Sequence, residues 1–215
     1  MQTAPRFDID MDALWHDPYP QLARLRAEAP VAFVPQLDGI VFTRRDDIDI
    51  WEKRIDIFSS EQPGGLMTQL MGQNMMRHDG DAHQSQRRAM QPAVSPRSVQ
   101  RHWRNAFREA AVRVLDELAP KGRADLCTDY AMTLSGEALR LITGLDNVTA
   151  HEMDAHSQAM IDGIATYAGD ADIAARCLGA VAALDAAIGA RLDDFAASPP
   201  DPDSIDGVSV IAVLQ

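Results

Sequence analysis

Apolar and polar positions change rhythm several times along the chain. Leu22, Leu25 and Ala29 share one face of a short predicted helix over Gln21–Ala29, and Pro30 stops it. Val31–Pro35 and Gly39–Thr43 are short apolar runs around Asp38-Gly39, a pattern that predicts a β hairpin. Thr43 with Asp46 resembles a helix start, and Ile48, Trp51 and Ile55 follow at helical spacing. Periodicity is then lost over residues 61–80. Pro63, Gly64, Gly65, Gly72 and Gly80 predict a long loop or a broken helix there, and a loop of that length within a domain is more often functional than not.

From Asp81 onward the pattern is almost wholly helical. A short helix is expected from about Asp81 to Met90, ending before Pro92. Ser95-Pro96 pairs a capping hydroxyl with proline at the first helical position. Val99, Trp103, Phe107, Ala110, Val114 and Leu118 then form one stripe, closed by Pro120 and Gly122. Thr128–Ile142 is the next predicted helix, with Gly144 at its end. Thr149 and Glu152 fit a capping box, followed by Met153, Met160, Ile164 and Tyr167. Ile173, Cys177, Val181, Leu184, Ile188, Leu192 and Phe195 make the cleanest stripe in the chain. Ser198–Asp206 reads as a linker, and Val208–Leu214 opens a new apolar element just before the chain stops. The expectation is a mainly α fold with a small β hairpin near residues 31–43. The whole of 1–215 reads as one incomplete domain, cut partway into a helix.

Composition narrows the class. A chain of 215 residues, 46% apolar and 24% charged, is globular and needs no staples to fold. Its two cysteines, Cys127 and Cys177, stand in no CxxC or Cys/His cluster, which excludes a disulfide framework and a zinc finger and favours a reducing compartment. The N-terminus lacks a basic start followed by an apolar core. The apolar stretch Val208–Leu214 is far below the ~18 residues of a membrane span. These features predict a soluble, cytoplasmic protein with no membrane partner.

The net charge of −12 is unevenly placed. Residues 1–123 hold 17 Lys+Arg and 17 Asp+Glu, so the whole imbalance lies downstream, where Arg140, Arg176 and Arg191 face 15 acids. Within the neutral part, residues 77–113 hold eight Arg and three acids, a basic stretch upstream of an acidic one. One reading of that stretch is a non-enzymatic helical module that binds an acidic partner. Overall negative charge argues against nucleic acid.

The segment with the most chemical content is Met76–Met90. His83 and Arg87, four residues apart, project from one helix face about a turn from each other. An imidazole donor beside a guanidinium suits a bound carboxylate or phosphate. The same spacing also suits an ordinary solvated ladder of Asp79, His83 and Arg87. His151 and His156 are five apart, which turns them about 140° from each other and excludes the helical metalloprotease arrangement. No GxGxxG, GxxxxGK or GxSxG sequence is present.

The order of pieces adds what spacing alone does not. Asp17-Pro-Tyr19, Phe58-Ser-Ser60, Asp79-Gly-Asp-Ala-His83-Gln-Ser-Gln-Arg87-Arg88 and Ser95-Pro96 occur in sequence. Together they resemble the N-terminal half of a bacterial cytochrome P-450, a heme-thiolate monooxygenase, from about Asp17 to the end. The resemblance implies heme b as cofactor, with His83 and Arg87 on its propionates. It makes 61–80 a substrate-access region, where Met67, Met71, Met75 and Met76 would meet a small apolar organic substrate, although core packing of these methionines suits the pattern equally. Helices Met153–Tyr167 and Ile173–Phe195 would form a mobile lid, eased by Gly163 and Gly169. Arg97, Arg101, Arg104, Arg108 and Arg113, with Arg104 and Arg108 foremost, would help dock an iron–sulfur ferredoxin-type or flavin reductase electron donor; a solvated helix face is the competing reading. The family's oxygen-activating helix, ExxR motif and cysteine loop all lie beyond residue 215. The resemblance therefore places no catalytic residue and no iron ligand in this chain, and implies that the chain is inactive alone.

Overall fold

The computed structural model describes residues 4–166 and 169–215. They divide into two compact units at Ser60–Glu61. In the first, α1 (Met11–His16) is capped by Asp10 and α2 (Pro18–Glu28) by Asp17, whose side chain accepts from the Tyr19 amide. Helix α2 starts ahead of the predicted Gln21, because an Asp-Pro pair satisfies an orphan amide and pre-sets the first helical φ. Strands β1 (Val31–Val34) and β2 (Gly39–Phe42) pair antiparallel, with Val31 opposite Phe42 and Val34 opposite Gly39. The hairpin turns through a 3-10 turn at Pro35–Leu37 and through Asp38 at φ 47°, a left-handed conformation that Asp tolerates. Phe7, Ile9, Leu25, Ala32 and Val34 form the core of this unit. Helix α3 (Arg45–Trp51) departs from expectation at its start. Its cap position is Arg44, without a side-chain bond, and Thr43 Oγ1 instead donates to the Pro30 carbonyl, 3.0 Å away.

The second unit begins with the segment that lacks periodicity, which is a broken helix. Helix α4 (Leu66–Met71) stops at Gly72, φ 73°, and a 3-10 turn at Met75–Arg77 leads to α5 (Gly80–Val94). Helix α5 runs past Pro92 instead of ending before it. Its last carbonyls are met from outside the helix: Trp103 Nε1 donates to Ala93 O at 2.7 Å, and Ser98 Oγ donates to Pro92 O. These two bonds satisfy carbonyls at the C-terminal end of α5, which no later helical amide reaches.

Ser95 caps α6 (Pro96–Ser98), as its sequence predicts, and the chain continues through a wide turn at Val99–Trp103 into α7 (Arg104–Leu118). Trp103, Ala110, Val114 and Leu118 are buried, whereas Val99, predicted on the same stripe, is exposed. The wide turn shifts the helical phase there, since five residues per hydrogen bond rotate the preceding side chain off the face. A second wide turn, Leu126–Met132, precedes α8 (Thr133–Thr143), so the predicted Thr128 start falls inside it. Gly144 ends α8 in the left-handed conformation, φ 86°.

Helix α9 (Ala150–Ala165) carries the complete Thr149–Glu152 capping box. Tyr167, expected on its apolar stripe, lies outside the described residues. Helix α10 (Ala171–Ala197) packs on α9 and α4, and on α11 (Val210–Leu214), which also lies against α5. Leu145, Val148, Met153, Phe195 and Ile211 form a core where α8, α9, α10 and α11 meet. The 198–206 stretch is a series of hydrogen-bonded turns, with Ser204 Oγ donating to Asp201 O and the Gly207 amide to Ser204 Oγ. By length and composition α10 is also apolar enough to cross a membrane, with mean hydropathy 1.6 over its richest window. The apolar-run criterion passes over it because its alanines are interrupted by charges.

Candidate functional site

The candidate site is the face of α5 that bears His83 and Arg87. Gly80 enters the helix at φ 55°, and Asp81 stands in the first turn, where the helix dipole favours an acid. His83 is half-buried and Arg87 exposed. Neither side chain has a hydrogen-bond or ion-pair partner among the described residues, so the solvated ladder does not form at these two positions. Two donor groups a turn apart, without an acceptor among the described residues, have the chemistry to take carboxylates such as heme propionates.

The two cysteines lie on other elements. Cys127 is exposed on the wide turn, where its backbone amide donates to Asp125. Cys177 is fully buried in α10, and burial pushes its thiol pKa up, which keeps it neutral. Among the described residues no three His, Cys, Asp or Glu side chains converge to hold a metal ion.

The structure places the predicted methionines unequally. Met67 and Met71 share a face of α4, half-buried, and Met75 is half-buried on the following turn, but Met76 is 63% exposed. Gly163 also takes a different role from the one expected. A Cβ there would lie 2.6 Å from both Cβ and Sγ of Cys177 and 3.3 Å from Leu70 Cδ1. It lets α9 approach α10 closely, which is a packing role. Gly169 has open space around it and a φ of 75°.

Arg97, Arg101, Arg104 and Arg108 are exposed and have no carboxylate partner among the described residues. Arg113 differs, because it reaches Glu137 at 2.8 Å. Glu137 also receives both Arg140 bonds, at 2.8 and 3.0 Å. The Arg140 bonds, with help from Arg113, hold its carboxyl below the ordinary glutamate pKa. An open cleft of about 690 Å³ follows α7, lined by Lys121, Arg123, Ala124, Asp125 and Asp129, and includes none of the predicted site residues.

Sequence reasoning passed over two residues that organise this unit. Arg191 is 8% exposed; it donates to Gly144 O at 2.9 Å, pairs with Asp146 at 2.9 Å and lies 4.3 Å from the Phe195 ring centre. Its place on the buried face was legible, three residues after Ile188 and four before Phe195. The other is Arg77, whose Nε is buried without a hydrogen-bond partner. No sequence signal marks it.

No protein-family model matches the chain. A C-19 steroid 1alpha-hydroxylase of Sorangium cellulosum (strain So ce56) is 27% identical over 144 residues, 66% of this chain and 36% of that protein. Cytochrome P450 260B1 of the same strain superposes with a TM-score of 0.69 at 23% identity, over 99% of this chain and 56% of that one. P450BioI, solved with an acyl carrier protein ligated to hexadec-9Z-enoic acid, gives 0.74 at 15% identity, over 94% and 57%. Substrate-free CYP109E1 of Bacillus megaterium gives 0.71 at 16% identity, over 92% and 50%. The chain thus spans between about a third and rather more than half of the proteins it resembles. By its helical order, its two-stranded sheet and these likenesses, it has the fold of the N-terminal half of a bacterial cytochrome P450.

Proposed function

We propose that this chain forms the propionate-binding side of the heme pocket, and part of the substrate-access wall, of a heme-thiolate monooxygenase. The observation that carries this reading is the unpartnered His83–Arg87 pair on α5, within a fold whose solved neighbours are cytochromes P450. His83, through an imidazole N–H, and Arg87, through its guanidinium, would hold the heme propionates. An arginine fork matches a carboxylate better than a lysine would. Heme with a cysteine thiolate, when bound, supplies dioxygen activation for hydroxylation of an organic substrate. Met67, Met71 and Met75 present polarizable, adaptable side chains to the apolar part of that substrate, and Met76 joins them only if its exposed side chain turns inward. The steroid hydroxylase name of one relative supports an apolar organic substrate.

Arg104 and Arg108, a turn apart on α7 and free of acidic partners, form a basic edge for an acidic iron–sulfur or flavin electron donor. Reversing both to Glu should abolish salt-sensitive association with an acidic ferredoxin; unchanged association removes this role. With one exposed and one packed cysteine, the chain by itself is inactive in this reading. A thiolate-type reduced-CO spectrum from the 215-residue chain with heme would overturn that part.

Hemin titration of the chain, followed by the Soret band, tests the main proposal. Each charge-assisted bond contributes about 1.5–3 kcal/mol. His83→Ala and Arg87→Ala should therefore each weaken binding by about ten- to a hundredfold. Affinity indifferent to both substitutions refutes the propionate assignment.

A further inference from the structure

The turn before α5 is tied down by its own hydrogen bonds. The Arg77 amide donates to Asn74 O at 2.9 Å, Gln73 Nε2 donates to Arg77 O at 3.1 Å, and Asn74 Oδ1 accepts from the Met76 amide. The Arg77 side chain that leaves this turn is half-buried, and among the described residues its Nε has neither solvent nor an acceptor. Burying part of a guanidinium without a partner is costly, because the charge loses hydration and gains nothing in return. A second buried orphan, Thr68 Oγ1, lies on the same broken helix. Met67, Met71 and Met75 on the same broken helix are also half-buried. The segment thus carries adaptable apolar side chains and one strong cationic donor.

We propose that Arg77 is a carboxylate anchor, distinct from the His83–Arg87 pair, which takes the acid group of an amphipathic molecule bound against the methionine segment. The inference rests on the reading of this segment as part of the access wall. The Nε–H edge of a guanidinium and its neighbouring Nη–H form a two-pronged donor that matches a carboxylate. A singly charged carboxylate suits this half-buried place better than a doubly charged phosphate, whose desolvation is more costly. The carboxylate belongs either to an organic acid substrate or to a heme propionate, and ligand pairs separate the two sources.

The test uses the 215-residue chain and its Arg77→Gln variant, with decanoate against decanol and hemin against hemin dimethyl ester. The wild-type chain should prefer the acid in at least one pair by about tenfold, and Arg77→Gln should erase that preference. Loss confined to decanoate assigns an organic acid; loss confined to hemin assigns a propionate. Preferences unchanged in both pairs, or absent from the wild type, overturn the proposal. If hemin still responds to His83→Ala and Arg87→Ala, the heme reading survives that failure; if hemin does not bind, both fall. Arg77→Met gives a ligand-free readout. It should unfold no earlier than wild type, since it removes an unpaired buried polar atom at similar length. Marked destabilisation would show that Arg77 serves the fold, and would also overturn the proposal.

Discussion

Gly163→Ala offers a sharp test of how α9 and α10 meet. The added methyl would sit 2.6 Å from Cβ and Sγ of Cys177 and 3.3 Å from Leu70 Cδ1. Cys177 is fully buried and its Cβ is fixed to the backbone of α10, so the two helices must move apart. Overpacking of this kind costs about 1–3 kcal/mol. Replacing glycine by alanine within a helix returns about 0.8–1.0 kcal/mol. The net expectation is a loss of up to about 2 kcal/mol, or several degrees in Tm for a domain of this size. Gly179 and Gly189 on α10 supply the control, because a Cβ at either meets nothing within 4 Å. Alanine at each should stabilise the chain by about 0.5–1 kcal/mol. Urea unfolding followed by far-UV circular dichroism would compare the three variants. Adding Cys177→Gly to Gly163→Ala should recover part of the loss, giving a coupling energy of about 1–2 kcal/mol. If Gly163→Ala is as stabilising as Gly179→Ala, the helices are not in the contact described, and the hinge role regains its place.

Trp103→Phe should cost about 1–3 kcal/mol by leaving the buried Ala93 carbonyl without its donor, read from the same urea curves. Arg191→Met should cost about 2–4 kcal/mol, since Gly144 O loses a charged donor and Phe195 its cation; an unchanged thermal midpoint would refute this. Glu137 contributes a pH-dependent share of stability. Its folded pKa is depressed by Arg140 and then Arg113, so the contribution is present above the ordinary glutamate value of about 4.3 and is lost as pH falls through the folded value. Glu137→Gln should therefore lower stability at neutral pH and flatten the acid limb of a midpoint-against-pH series.

Much of the helical punctuation was legible because it is local. Ser95-Pro96, Thr149 with Glu152, and Gly144 act within a turn of themselves, and the structure shows all three in the expected roles. The hairpin was legible for the same reason: Asp38-Gly39 reverses the chain between two apolar runs. The spacing of His83 and Arg87 was also local, and their place on one face of α5 follows from it.

Tertiary structure decided what depends on distant groups. The end of α5, past Pro92, is held by Trp103 and Ser98, which bond its last carbonyls from outside the helix. Gly163 is a packing glycine because Cys177, on another helix, occupies the space a methyl would need. Arg191 is buried because Gly144 O and Asp146, both far from it in sequence, offer acceptors there. That His83 and Arg87 find no acceptor among the described residues, like the orphaned Nε of Arg77 there, is likewise a property of the folded surroundings. Sequence fixes which groups can donate and at what local spacing; whether each finds a partner depends on chain segments that only folding brings within hydrogen-bond reach.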